Sequence, residues 1–143
     1  MLLKDSLRLT TVRRITVHCP VSRDAWDSLQ AGDSAQLERE PDLAPLFDVL
    51  RAHEEFGALG PYRSVFEIGR GRETFTPRAG SRPTLGSAGE VCRTYTIVIT
   101  TYVAERVADA RFADLIAALA RAHPWELPVI EVSSVRILGT DTP

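Results

Sequence analysis

Ala122-His123-Pro124-Trp125-Glu126-Leu127-Pro128-Val129-Ile130-Glu131-Val132 ends one element and starts the next within a few residues. Upstream, Phe112, Leu115, Ile116 and Leu119 recur at helical spacing among alanines. Alanine favours the helix and allows close packing of its apolar stripe. Pro124 disfavours helical backbone at His123 and cannot itself continue the helix. His123, when charged, offsets the negative helix end. Residues 129–138 are rich in β-branched types and read as a strand. This corner marks where the last helix of an α+β domain turns back onto its sheet.

Reading outward, residues 92–102 form the clearest strand, dense in Thr, Ile, Val and Tyr. Residues 13–19 alternate, with Ile15, Val17 and Cys19 on one side and Arg14, Thr16 and His18 on the other. Pro20 ends that strand because it lacks the ladder N–H. Ser22 caps a helix that runs to Gln30, with Val21 and Trp26 at the staple positions. Residues 31–41 read as a polar loop. Asp42 caps a second helix with Pro45 in its first turn and Leu46, Val49, Leu50 and His53 as its stripe. Gly57 and Gly60-Pro61 end it. Residues 62–68 read as a strand, Gly69-Arg70-Gly71 as an interruption, and residues 73–77 as a short extended piece. Residues 78–90, rich in Gly, Pro and Ser, suit a mobile loop.

The order β-α-(α)-β-β-α-β predicts an antiparallel sheet with helices on one face, because each helix has one apolar stripe to hide. That is the ferredoxin-like βαββαβ arrangement, with an extra helix in the first crossover. The expected organisation is an N-terminal arm or short edge strand at 1–11 and a single domain at 12–138. An acidic helical insertion occupies 31–57, and a tail follows at 139–143.

The 143 residues suffice for one domain with a core of its own. Net charge is −2, which argues against a whole-domain binder of nucleic acid or anionic membrane. No apolar run approaches the roughly 20 residues that span a bilayer. The first residues show no apolar signal-peptide core. Cys19 and Cys92 make no metal-site spacing and read as reduced thiols, so a cytoplasmic location is expected. Charge is uneven. Nine acids in residues 24–55 face only Arg39 and Arg51, whereas six arginines in residues 62–93 face Glu67, Glu73 and Glu90. This reads as two solvated faces of opposite sign, or as self-association or an anion site in the arginine-bearing half.

Three segments share one pattern: residues 59–66 (LGPYRSVF), residues 69–77 (GRGRETFTP) continued by Gly80, Pro83, Gly86 and Gly89-Glu90, and residues 118–126 (ALARAHPWE). Their order resembles the inserted domain of NIF-three-like dimetal proteins. The His-Pro-aromatic-Glu turn also resembles CutA-type cation-tolerance proteins, within the wider PII-like class. The likeness covers residues 12–138. Trp125 stands where Tyr is usual, and Pro61 where Asn is usual. The metal-ligating halves of the NIF-three-like proteins have no counterpart here, so hydrolase activity is not implied. The resemblance implies a PII/CutA-like homo-oligomer, with a trimer favoured over a dimer, whose clefts bind small molecules or ions.

The candidate ligand-binding residues are Tyr62, Arg70, Arg72, Thr76, His123, Trp125 and Glu126. Glycines let backbone N–H groups crowd an anion, and Arg70, Arg72, Arg78 and Arg82 offer planar donors to a phosphate or carboxylate. A small anionic ligand is therefore one expectation; arginines facing water or neighbouring acids are the other. A divalent metal cofactor would use His123 and Glu126, three residues apart. Equally, His123 ends the helix and Glu126 bonds nearby backbone. His18 and Cys19 suit a soft metal by type, but alternation points them to opposite faces. No Walker or complete GxGxxG pattern and no GxSxG occurs, so no catalytic residue is assigned. Tyr95 and Tyr102 fall on opposite strand faces, unlike the stacking platform of an RNA-binding sheet. The reading is a non-enzymatic ligand- or ion-binding oligomer without nucleic acid or membrane partners. A metal-tolerance protein, an enzyme at the same turn, and a protein-interaction module are the alternatives.

Overall fold

Among residues 7–139, which the computed structural model describes, eight elements follow one another. They are β1 (Arg8–Pro20), α1 (Arg23–Gln30), α2 (Ala35–Arg39), α3 (Ala44–Ala52), β2 (Phe66–Phe75), β3 (Cys92–Ala104), α4 (Asp109–Ala122) and β4 (Val129–Gly139). The strands form one sheet in the order β2-β3-β1-β4, and every neighbouring pair is antiparallel. Each helical crossover therefore joins two parallel strands with a third strand between them. This α+β architecture is consistent with the ferredoxin-like arrangement. No helix among the described residues is long and apolar enough to cross a membrane.

The strands with the strongest alternation hold the centre. Ile15, Val17 and Cys19 of β1 and Ile97, Ile99, Thr101 and Val103 of β3 are buried on one face. Leu115 and Leu119 of α4 pack there, because their spacing of four sets them one above the other on the helix. Burying such a side chain contributes about 1.5–3 kcal/mol. The opposite face, which includes Thr16, Val98, Thr100 and Tyr102 by register, carries no helix among the described residues.

The structure lengthens β1. Residues 8–11 are not an arm: β1 pairs with β4 from Arg8↔Gly139 onward. The alternation was hidden there because Arg13 holds a helix-face position. Its guanidinium lies 4.5 Å over the Phe112 ring, donates to the Val107 carbonyl at 3.0 Å and pairs with Asp109 at 2.7 Å. A cation thus fills a slot that usually reads as apolar. Residues 1–6 of the expected arm and 140–143 of the expected tail lie outside the described residues, whereas Gly139 closes β4.

β2 is also one continuous strand, not two pieces split at Gly69-Arg70-Gly71. Gly71 lies opposite Thr96, where a Cβ would come within 2.8 Å of the Thr96 hydroxyl. The glycine pattern reflects crowding across the sheet rather than a turn. Tyr62 is displaced from the strand into a tight turn in which Leu59 and Tyr62 exchange backbone hydrogen bonds of 2.9 and 3.0 Å.

Ser22 caps α1 as expected, its hydroxyl accepting the Ala25 N–H at 3.1 Å. The supposed loop 31–41 contains α2, and Leu43 rather than Asp42 precedes α3, with no side-chain cap. The segment 31–57 gives Leu37, Leu43, Leu46, Phe47, Leu50 and Phe56 to the core. The α3 stripe accordingly includes Phe47. His53 ends the helix, edge-on to Phe56 with ring centroids 6.2 Å apart. Ion pairs Arg51–Glu38 and Arg111–Glu55 stitch the segment's surface. Partly exposed pairs contribute only about 0–1 kcal/mol each, so the apolar contacts hold it.

Gly57 has φ +67°, and a Cβ there would meet the Val65 carbonyl oxygen at 2.3 Å. Gly80 has φ +88° with open space around it. Gly80→Ala should therefore destabilise by about 1 kcal/mol from backbone strain alone. Gly57→Ala should cost about 3 kcal/mol or more, because backbone must also move. Urea unfolding of both variants checks the difference.

Candidate functional site

The His-Pro-Trp-Glu corner and the 78–90 loop meet at one end of the sheet. His123 follows α4 in extended backbone, ψ 138°, as the following proline requires. Its ring is buried and bonded at both nitrogens. Nδ1 accepts the Trp125 N–H at 3.0 Å. That assigns the proton to Nε2, which donates to the His18 carbonyl of β1 at 2.6 Å. Burial pushes the imidazole below its ordinary pKa, outweighing the His18 carbonyl that favours its charged form. The ring is a neutral brace between the corner and the central strand.

The brace positions Trp125, whose ring lies 5.4 Å from His123, tilted by 46°. Glu126 accepts the Arg82 N–H at 2.9 Å. The Thr84 hydroxyl donates to the Pro124 carbonyl at 3.4 Å. At the base of the loop, the Gly89 N–H donates to Pro77 O at 2.9 Å. The loop is thus tied across the strand ends onto the corner.

Between loop and corner lies a cavity of about 460 Å³, within the usual size of small-molecule sites. Its walls are Glu73, Phe75, Thr76, Pro77, Arg78, Ser81, Pro83, Thr84, Leu85, Trp125, Glu126, Leu127 and Val129. By register, Glu73, Phe75 and Val129 all belong to the helix-free face. Leu127 is 83% exposed and Leu85 48%, so the cavity mouth presents apolar surface to water.

Thr76, Trp125 and Glu126, singled out from sequence, line this cavity, and His123 braces it from behind. Tyr62, Arg70 and Arg72 are elsewhere. Tyr62 is 70% exposed in the turn before the opposite end of β2. The Arg70 guanidinium lies 4.1 Å over the Trp26 ring, and that of Arg72 4.5 Å over Tyr95. These arginines serve as packing cations on the helix side of the sheet. Of the loop arginines, Arg78 lines the cavity and Arg82 contributes its backbone N–H to Glu126. Sequence reasoning missed Glu73, Phe75, Pro77, Leu127 and Val129. The available signal was Leu127, a large apolar residue set between Glu126 and Pro128 in the turn.

Among the described residues, neither metal reading meets a ready set of ligands. Both His123 nitrogens are engaged, and Glu126 faces the loop. His18 binds Glu131 at 2.8 Å on the helix-free face, while Cys19 is buried on the other. Burial pushes the Cys19 thiol up to about 12, which keeps it protonated and a poor ligand. No group of three or more His, Cys, Asp or Glu among the described residues is arranged to hold a metal ion.

No protein-family model and no curated protein matches this chain. Among solved structures it is similar to a Bacillus cereus protein related to NIF3, with a TM-score of 0.60 and 18% identity. The match covers 92% of this chain and 28% of that one, so the chain spans under a third of that protein's length. At this identity the likeness establishes the shared fold.

Because burial keeps His123 neutral, protonation opposes folding. Its folded pKa lies below the ordinary 6.5. The unfolded state therefore binds more protons below that value, and stability falls as pH drops from about 7.5 through 6.5 toward the folded pKa. Urea unfolding at pH 7.5 and 5.5 should show a loss in the parent protein that is smaller in His123→Asn. An equal loss in both proteins would place the proton elsewhere.

Proposed function

We propose that this chain is a small-ligand-binding domain of PII/CutA-like, ferredoxin-like type, and that its ligand occupies the cavity between the 78–90 loop and the His-Pro-Trp-Glu corner. The carrying observation is the way Trp125 and Glu126 are held before any ligand arrives. His123 fixes the Trp125 backbone, and the Arg82 N–H fixes Glu126. A backbone and a carboxylate ordered in advance lose less entropy on binding. A mostly apolar wall with a few fixed polar groups is the usual composition of such a site.

Binding without catalysis fits two of the hydroxyls on the wall, those of Ser81 and Thr84. Ser81 Oγ donates to Arg78 O at 2.7 Å, and Thr84 Oγ1 donates to Pro124 O at 3.4 Å. Neither hydroxyl proton is directed at a base that would activate it. The NIF-three-like resemblance extends to the corner and loop and brings no dimetal chemistry with it.

The same reading includes self-association, with a trimer taken from the family resemblance. The sheet itself supplies reasons for association. β2 and β4 are edge strands, and unpaired edges seek partners. Leu9, Val132 and Leu138, on or beside β4, are 55%, 47% and 64% exposed. The interaction-module alternative needs surface substitutions in residues 31–57 as its test, because that segment builds the core and removing it would unfold the domain.

A thermal-shift screen tests the site. A ligand at a hundredfold its Kd should stabilise the protein by about 2.7 kcal/mol, and Trp125→Ala should abolish that shift while the variant stays folded. Ligands that stabilise the variant equally would remove the cavity from the account. Light scattering at micromolar concentration should give the mass of a trimer; a monomer would contradict the assembly.

A further inference from the structure

Resting on that cavity as the site, we infer that its ligand is a small apolar cation: a hydrophobic amine or quaternary ammonium compound. The charge on the wall gives the sign. Glu73 and Glu126 line the cavity against Arg78 among the described residues, two carboxylates to one guanidinium. Of the four arginines expected to bring positive charge, Arg70 and Arg72 are instead stacked on Trp26 and Tyr95, and only Arg78 is on the cavity wall.

The aromatic wall agrees with that sign. The Trp125 ring carries a negative face that attracts cations, and indole does so best among the aromatics. The ring behind it is the neutral tautomer of His123, its Nδ1 lone pair taken by the Trp125 N–H. No imidazolium sits beside the indole to oppose an incoming positive charge. Glu126, next in the chain, has Oε2 bonded to the Arg82 N–H and Oε1 left as an acceptor. An ammonium group at the indole face would therefore meet an oriented carboxylate, and its apolar body would meet Phe75 and Leu127. An anion in the same place would face two carboxylates and gain one exposed guanidinium.

Three probes of one shape separate the possibilities: phenylbutylammonium, phenylbutanol and phenylbutanoate, titrated by calorimetry at low salt. The cation should bind about tenfold or more tighter than the anion, with the alcohol between. Glu126→Gln retains an oxygen for the Arg82 N–H, yet it should weaken the cation about tenfold and leave the alcohol unchanged. Trp125→Leu keeps the wall apolar and should lower the preference for cation over alcohol. Arg78→Gln should strengthen cation binding severalfold. If the anion binds tightest, or Glu126→Gln leaves the cation untouched, the inference fails and the cavity stands as a site for another ligand class. If none of the three binds at millimolar concentration to the folded protein, both the inference and the cavity reading fall.

Discussion

The ring of His123 ties the end of α4 and the corner that follows it to the central strand. One nitrogen donates to the carbonyl of His18 on the central strand, and the other accepts the N–H of Trp125. The first bond fixes the end of α4 against the sheet. The second fixes the direction in which the chain leaves. A buried ring bonded at both nitrogens has one orientation and one tautomer, and losing either partner would leave a buried polar group unsatisfied at a cost of about 1–3 kcal/mol. Pro124 makes the arrangement possible by keeping His123 out of helical backbone. The corner is thus rigid for reasons local to four residues, and Trp125 and Glu126 inherit that rigidity.

The loop across from the corner has no regular structure of its own between Thr76 and Val91. It is placed by bonds to the corner through Glu126 and Pro124. Cavity shape consequently depends on a part fixed by the sheet and a part fixed only by a few hydrogen bonds. Ligand sites commonly combine a rigid scaffold with a loop of this kind. Local opening of the loop would cost far less than unfolding the sheet, since few apolar contacts would break.

Much of the fold was legible in the sequence because alternation and helical spacing report burial directly. The strands around Ile15 to Cys19 and Ile97 to Val103, the capped α1 and the α4–β4 corner all follow from pattern. What was illegible has physical causes. Arg13 occupies a core-facing position by lying over Phe112, so β1 appeared to begin too late. Gly71 lies in a strand because Thr96 crowds it, so β2 appeared broken. α2 buries Leu37 alone, too little for periodicity to show. At the site, Trp125, Glu126 and Thr76 were visible as types in a turn and a loop. Arg70 and Arg72 misled because their stacking on Trp26 and Tyr95 joins residues distant in sequence. The apolar wall was hidden for the same reason: Phe75 and Val129 come from opposite edges of the sheet and line one cavity only through its topology.

The central claim is that a neutral His123, protonated at Nε2, braces the corner and sets Trp125 on the cavity wall. The most direct measurement is a long-range proton–nitrogen correlation spectrum of the imidazole ring at neutral pH. The account predicts a single neutral ring with its proton on Nε2 and a strongly deshielded proton in the bond to His18. An imidazolium, the Nδ1–H tautomer, or an averaged mixture of the two would contradict it.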